Sequence, residues 1–148
     1  MLKNGCLYEH IRWGEAFVIV YSVVDRRSFH EAQDILGQLV KLKLPSYYTS
    51  LLIGNKRDLD HSRQVCVDEG QEVSLQFGCQ FYEVSAAENF AGVSLAFQSM
   101  LREARSVQLL KALPIRRKLG VNSVSKVLGN IFGNRSKTDR KKRPSLSI

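Results

Sequence analysis

Three short apolar runs lie in the first part of the chain, and each of them predicts a β-strand. Residues 16–21 are rich in β-branched and aromatic side chains, which is typical of a strand buried on both faces of a parallel sheet. Residues 51–54 are also apolar, residues 80–84 contain two aromatic residues and a valine beside Gln80 and Glu83, and each run is followed by residues that favour a loop. We therefore expect three strands, each leading into a polar loop.

Apolar residues at helical spacing follow the first predicted strand. Ser28 stands three residues before Glu31 and opens this segment, so the pair predicts a capped amphipathic helix, which Pro45 ends. Residues 2–13 show no clean period, and we interpret them as an irregular turn and a short helix that lead into the first strand.

A second helix is predicted over residues 67–77. Two acidic residues suit its first turn, and Gly78 suits the left-handed conformation that often follows a helix. A third helix is predicted over residues 91–105, after the third strand. Strand and helix thus alternate three times, which indicates an α/β fold with a parallel sheet.

The net charge of +8 is concentrated in the C-terminal part of the sequence. Residues 1–106 carry a net charge of −2, whereas residues 107–148 contain 11 Lys and Arg residues against the single acidic Asp139. We therefore predict a folded domain over 1–106 and a basic tail over 107–148. Two states of this tail stay open: residues 113–132 can form an apolar helical face, but glycines weaken such a helix and favour disorder.

Polar side chains suited to guanine follow the second and third predicted strands. Residues 55–58 read Asn-Lys-Arg-Asp, and residues 84–86 read Val-Ser-Ala. Because ligands of open parallel sheets bind beyond the carboxyl ends of the strands, we expect these two loops to form one site. The ionised carboxylate of Asp58 can accept from N1–H and the 2-amino group of guanine, a pair of donors that adenine lacks. The backbone N–H of Ala86 can donate to O6.

The two loops resemble those of the Ras-like small GTPase family. Residues 55–58 match the family's N-K-x-D motif, and residues 84–86 contain its later S-A motif, in the expected order along the chain. Residues 12–21 and 58–65 look most like the growth-inhibitor branch and neighbouring Ras-like branches of that family. The resemblance covers almost all of residues 7–105.

The resemblance implies a role for each residue of the two loops. Asp58 would read N1 and N2 of guanine, and Lys56 would pack on the base and ribose. Asn55 would brace the loops, Ala86 would contact O6, and Ser85 would orient the loop that carries Ala86. We assign no catalytic residue and no metal ligand in this sequence.

The resemblance also implies a P-loop NTPase fold, of which this sequence supplies the C-terminal half. The family's phosphate-binding pattern, G-x-x-x-x-G-K-[ST], does not occur in the sequence. We therefore expect GTP or GDP to be contacted at the guanine base only, and we expect no measurable GTP hydrolysis by these residues alone. Mg²⁺ is expected for the full-length family, but its ligands are absent here. We interpret the sequence as N-terminally truncated, whether as a fragment, a short isoform or an incomplete gene model.

Two hypotheses of function follow. The leading one is a Ras-like GTPase, a GTP-binding signalling switch that has regulators or effectors as partners. The alternative is a non-enzymatic interaction fragment, which acts through its helices and basic tail without binding nucleotide. A flavodoxin-like or dinucleotide-binding domain is disfavoured, since no glycine fingerprint follows a strand.

The remaining predictions concern location and partners. The basic tail favours an anionic membrane surface or a protein partner, and the last four residues contain no cysteine, so we expect no prenyl anchor. Without a membrane-length apolar run or a signal peptide, the protein is predicted to be cytoplasmic or nuclear, neither secreted nor transmembrane. Its cysteines are predicted to be free thiols; they are Cys6, Cys66 and Cys79.

Overall fold

The computed structural model of the protein describes residues 4–113. These residues form three strands, four α-helices and a short 3-10 segment. In chain order they are α1 (Asn4–Trp13), β1 (Ala16–Ser22), α2 (Arg26–Lys43), β2 (Thr49–Asn55), the 3-10 segment (Arg57–Ser62), α3 (Val67–Phe77), β3 (Gln80–Glu83) and α4 (Phe90–Ala112). The predicted α/β alternation is confirmed.

The three strands form one parallel sheet in the order β1, β2, β3. Alternate residues of β2 point to opposite faces of the sheet. Leu52 packs in the core cluster shared with α1, α2 and α3, whereas Leu51 and Ile53 pack with α4. Helices therefore cover both faces of the central strand. All of β2 except its last residue is buried, as the continuous apolar pattern predicts.

The prediction that the first strand is buried on both faces is wrong. Ile19 and Tyr21 are buried on the face of α2, but Val20 on the opposite face is 55% exposed. The reason is the position of β1 at the edge of the sheet, where its only partner among the described residues is β2. Helix α4 packs mainly against β2, so it leaves part of β1 uncovered.

The N-terminal cap of α2 also differs from the prediction. The capping residue is Asp25, whose carboxylate accepts from the backbone N–H groups of Arg27 and Ser28. The hydroxyl of Ser28 instead donates to backbone carbonyls that precede the helix, including that of Asp25 at 2.7 Å. The helix consequently begins at Arg26. It ends at Lys43, two residues before Pro45, as predicted.

Helix α3 has the predicted bounds, Val67–Phe77, and Gly78 ends it with a φ of 65°. Helix α4 is longer than predicted, since it continues past the expected end at residue 105 to Ala112, and Val107 in this added part is buried. The short helix expected within residues 2–13 is confirmed as α1, and it occupies all of Asn4–Trp13 without the irregular turn that was expected beside it.

The predicted division between residues 106 and 107 falls inside α4. The predicted tail lies almost wholly outside the described residues, so its helical or disordered character stays a prediction. None of the helices that the structure describes combines the length and apolar content needed to cross a membrane.

Candidate functional site

The two candidate loops meet at the carboxyl edge of the sheet. Gly54 and Glu83 are paired across β2 and β3, so the residues that follow them leave the sheet side by side. Gly54 is required at this position because a Cβ atom would lie 2.9 Å from the hydroxyl oxygen of Tyr21 and 3.2 Å from Cγ of Glu83. The close approach of Tyr21 therefore leaves no room for a side chain at position 54.

Hydrogen bonds join the loops directly. The side-chain oxygen of Asn55 accepts from the backbone N–H of Ala86 at 3.1 Å. The hydroxyl of Ser85 donates to Oδ1 of Asp58 at 2.6 Å. The structure thus brings together four of the five predicted site residues in two cross-loop pairs.

The backbone of the first loop is bonded to the end of the third strand as well. The N–H of Arg57 donates to the carbonyl oxygen of Val84 at 3.1 Å. The two segments are therefore connected by a backbone hydrogen bond as well as by the two side-chain pairs. Lys56, the fifth predicted residue, precedes it and is exposed.

Lys56 adopts a left-handed backbone conformation, with φ 66° and ψ 33°. It is the only non-glycine residue with positive φ in the described part of the chain. Such conformations cost free energy in residues with a side chain, and they cluster at functional sites. The turn at Lys56 redirects the chain from β2 into the 3-10 segment that contains Asp58.

The polar groups of the site have unequal hydrogen-bonding capacity left for a ligand. Oδ1 of Asp58 accepts from Ser85, while Oδ2 accepts no hydrogen bond from any described residue. The N–H of Ala86 already donates to Asn55. A ligand acceptor at this N–H would therefore share the donor with Asn55 or displace it.

An ion pair beside these loops was not predicted from the sequence. Arg63, just after the 3-10 segment, donates from both terminal nitrogens to the two carboxylate oxygens of Glu83, at 2.8 and 3.0 Å. These hydrogen bonds raise the pKa of the Arg63 guanidinium, with a smaller contribution from Asp60. The two residues lie 20 positions apart, and nothing in their local pattern signals the pairing.

The described residues contain no cluster of three or more His, Cys, Asp or Glu side chains that could hold a metal ion. The three cysteines are free thiols, as predicted. Cys6 and Cys66 are exposed, whereas Cys79 is partly buried, and burial raises its thiol pKa to about 12.

Comparison with known proteins identifies relatives that are longer than this chain. A protein from Homo sapiens named "Ras-related and estrogen-regulated growth inhibitor" is 41% identical over 108 residues, which cover 73% of this chain and 54% of that protein. "Ras-related and estrogen-regulated growth inhibitor-like protein" from Bos taurus is 37% identical over 137 residues, covering 89% of this chain and 66% of that protein. "GTP-binding protein Rit2" from Mus musculus is 39% identical over 109 residues, covering 74% and 50%. The chain spans about half to two thirds of the length of these relatives.

The family comparison agrees with the architecture and with the two loops. The model described as "Ras family" matches residues 7–106, a region that runs from α1 into α4 and includes the whole sheet. The parallel sheet, the alternating helices and both loop motifs lie within it. The chain therefore belongs to the Ras family.

Proposed function

We propose that the two joined loops recognise the guanine base of GDP and GTP. The observation that carries this proposal is the direct bonding between them: Ser85 holds the carboxylate of Asp58, and Asn55 holds the backbone of Ala86. A carboxylate and a backbone donor are thereby kept on neighbouring loops at one edge of the sheet. These are the groups that the edge of guanine requires.

The proposed recognition uses the hydrogen-bonding capacity that the site has left. Asp58 would accept from N1–H and the 2-amino group, with Oδ2 fully available and Oδ1 shared with the Ser85 hydroxyl. Ala86 would donate to O6, sharing its N–H with Asn55. The exposed stem of Lys56 would lie over the base and ribose.

Family membership implies guanine nucleotides and Mg²⁺ as ligands in general. For the whole protein we propose the activity of a small GTPase, a signalling switch that binds GTP and hydrolyses it and that has regulators or effectors as partners. No residue of this sequence is assigned to the phosphates or to Mg²⁺. We further propose a cytoplasmic or nuclear location and a contact between the basic tail and an anionic surface or a protein.

The test is calorimetric titration of the whole chain with GDP and Mg²⁺. We expect a dissociation constant of about 1 mM or tighter, equivalent to roughly −4 kcal/mol, and at least about tenfold weaker binding by Asp58→Ala. Asp34→Ala is the matched control, because Asp34 is an exposed acidic residue on α2. A folded chain that gives no binding heat, or equal binding by both variants, would refute the proposal.

A second candidate function is a non-enzymatic interaction module. It is favoured by apolar side chains that α4 leaves exposed, among them Phe90 at 83% and Leu109 at 70%. Exposed apolar surface of this kind is typical of a protein contact. Absence of nucleotide binding in the titration, together with a folded chain, would favour this candidate over the first.

A further inference from the structure

The salt bridge between Arg63 and Glu83 connects the same two chain segments as the cross-loop hydrogen bonds. Glu83 is the last residue of β3 and stands two residues before Ser85. Arg63 follows directly on the 3-10 segment, Arg57–Ser62, which contains Asp58. The ion pair therefore joins the residue just before the Ser85–Ala86 loop to the residue just after the 3-10 segment that contains Asp58.

Arg63 engages almost all of the hydrogen-bond donors of its guanidinium group. Its terminal nitrogens bind Glu83 in a bidentate pair, one of them also donates to the carbonyl oxygen of Val65 at 3.0 Å, and Nε donates to Asp60 at 2.7 Å. Four of the five guanidinium donors are thus engaged. A planar group held from several directions has little freedom to rotate, so it fixes the distance between the segments that it binds.

Burial separates this pair from ordinary surface salt bridges. The exposed fractions of the Arg63 and Glu83 side chains are 16% and 8%, whereas that of Asp60 is 79%. Solvent screening is weak at such a pair, and removing either partner leaves the other charge buried. Asp60, by contrast, contributes an exposed contact that water can replace.

We propose that Arg63 is a positioning residue for guanine recognition: by pairing with Glu83 it holds the Asp58 loop and the Ser85–Ala86 loop at a fixed separation. This inference rests on the proposed function, because it assigns the pair a role in reading the base. A base edge can contact Asp58 and Ala86 together only if the loops keep their spacing, and recognition geometry of this kind tolerates displacements of about 0.5 Å. Arg63 itself would touch no part of the nucleotide.

The first test follows the loops without any ligand. Amide hydrogen exchange of the whole chain is measured by NMR for Arg57 and Ala86, whose N–H groups bond across the loops, and for Leu52 in the central strand. Arg63→Lys keeps the positive charge but loses the bidentate geometry. We expect about tenfold faster exchange at the two loop amides with little change at Leu52, since local opening is separable from global unfolding.

The control is Arg26→Gln, a stronger change than Arg63→Lys because it removes the charge as well as the bidentate pair. Arg26 forms a second bidentate pair with a glutamate, Glu69, but this pair links α2 to α3 and is more exposed, at 41% and 37%. We expect no selective change at the loop amides in this control. Equal acceleration at Leu52 and the loops in Arg63→Lys would show a purely structural role, and unchanged exchange would show no coupling. Either result overturns the proposal.

The second test measures nucleotide selectivity and separates the two proposals. Titrations with GDP and with ADP are compared for the wild type, Arg63→Lys and Arg26→Gln. We expect the GDP preference to fall about tenfold in Arg63→Lys and to be unchanged in Arg26→Gln. An unchanged preference in Arg63→Lys overturns the positioning role. If the wild type itself shows no GDP preference, the proposed function fails. The positioning role in base recognition then fails with it, even where the exchange rates show that Arg63 couples the loops.

Discussion

Gly54 offers a direct measure of how tightly the sheet is packed beneath the candidate site. In Gly54→Ala the added methyl group would lie 2.9 Å from the hydroxyl oxygen and 3.0 Å from Cζ of Tyr21. The Tyr21 ring is 2% exposed and packs against Phe29 with ring centroids 4.9 Å apart. On the α3 side the hydroxyl oxygen also lies close to the backbone of Gly70, only 2.7 Å from where a Cβ of that residue would be.

We therefore expect Gly54→Ala to be destabilising. Overpacking a filled core costs about 1–3 kcal/mol, since the neighbours are forced from their preferred positions. For a domain of this size, that corresponds to a fall in Tm of at least about 4 °C. The assay is thermal and urea unfolding of the whole chain, followed by circular dichroism.

Gly37→Ala is the matched control for this substitution. Gly37 lies within α2, and the nearest atom to an added Cβ is Cε1 of Phe77 at 4.0 Å, an ordinary contact. Alanine in a helix interior is more favourable than glycine by about 0.5–1 kcal/mol, so this variant should be more stable than the wild type. The packing argument would be refuted if Gly54→Ala were as stable as the wild type, or if the two variants changed stability in the same direction.

Three further predictions use other parts of the molecule. Burial raises the pKa of the Glu103 carboxyl, with the hydrogen bond from Gln80 acting in the opposite direction. The native state therefore holds this proton more tightly than the unfolded state, and stability falls as pH rises from about 4.5 through the folded pKa. Glu103→Gln removes this loss, so its unfolding free energy relative to the wild type should increase over that range, and a constant difference would contradict the assignment. In the native chain a thiol reagent should modify Cys6 and Cys66 rapidly and Cys79 only on unfolding, as followed by mass spectrometry. Rapid labelling of Cys79 would show that the fold does not protect its thiol. Asp58→Asn exchanges one acceptor for a donor, so binding should shift from GDP toward xanthosine diphosphate, whose C2 carries an oxygen; a retained GDP preference in competition titrations would argue against base contact by Asp58.

Local signals were sufficient to predict the elements whose ends depend on adjacent residues. Helix α3 was predicted at its observed bounds because the acidic first turn and Gly78 act within the helix itself. Helix α2 begins earlier than predicted because Asp25, three residues before Ser28, provides the cap. The Ser28 hydroxyl is engaged by the end of β1, with the Ser22 N–H donating to it at 3.0 Å, a tertiary contact that spacing alone does not reveal.

Contacts between distant residues explain the larger differences. The C-terminal part of α4 buries Val107 and forms an ion pair between Lys111 and Glu15, which are 96 positions apart. The exposure of Val20 depends on strand order, which the apolar run of β1 does not specify. The local spacing of apolar residues specifies neither contacts between distant residues nor the order of the strands.

In the candidate site, too, some features follow from adjacent residues and others depend on contacts between distant residues. Its two loops are predictable because each directly follows a strand, and the carboxyl ends of parallel strands lie at the same edge of the sheet. The Asn55 side chain accepts from the backbone N–H of Ala86, the group that was expected to donate to guanine, and its bracing role stays a prediction. The Arg63–Glu83 pair depends on the folded distance between two loops, so it became visible only in the structure.

Guanine recognition requires that the joined loops distinguish guanine from adenine. The most direct measurement is NMR titration of the isotopically labelled whole chain with GDP, inosine diphosphate and ADP at equal concentrations. We predict that GDP shifts the amides of residues 55–58 and 84–86, that inosine diphosphate binds about tenfold more weakly because it lacks the 2-amino donor, and that ADP leaves these amides unshifted. Equal shifts with GDP and ADP, or GDP shifts confined to other parts of the chain, would contradict the account.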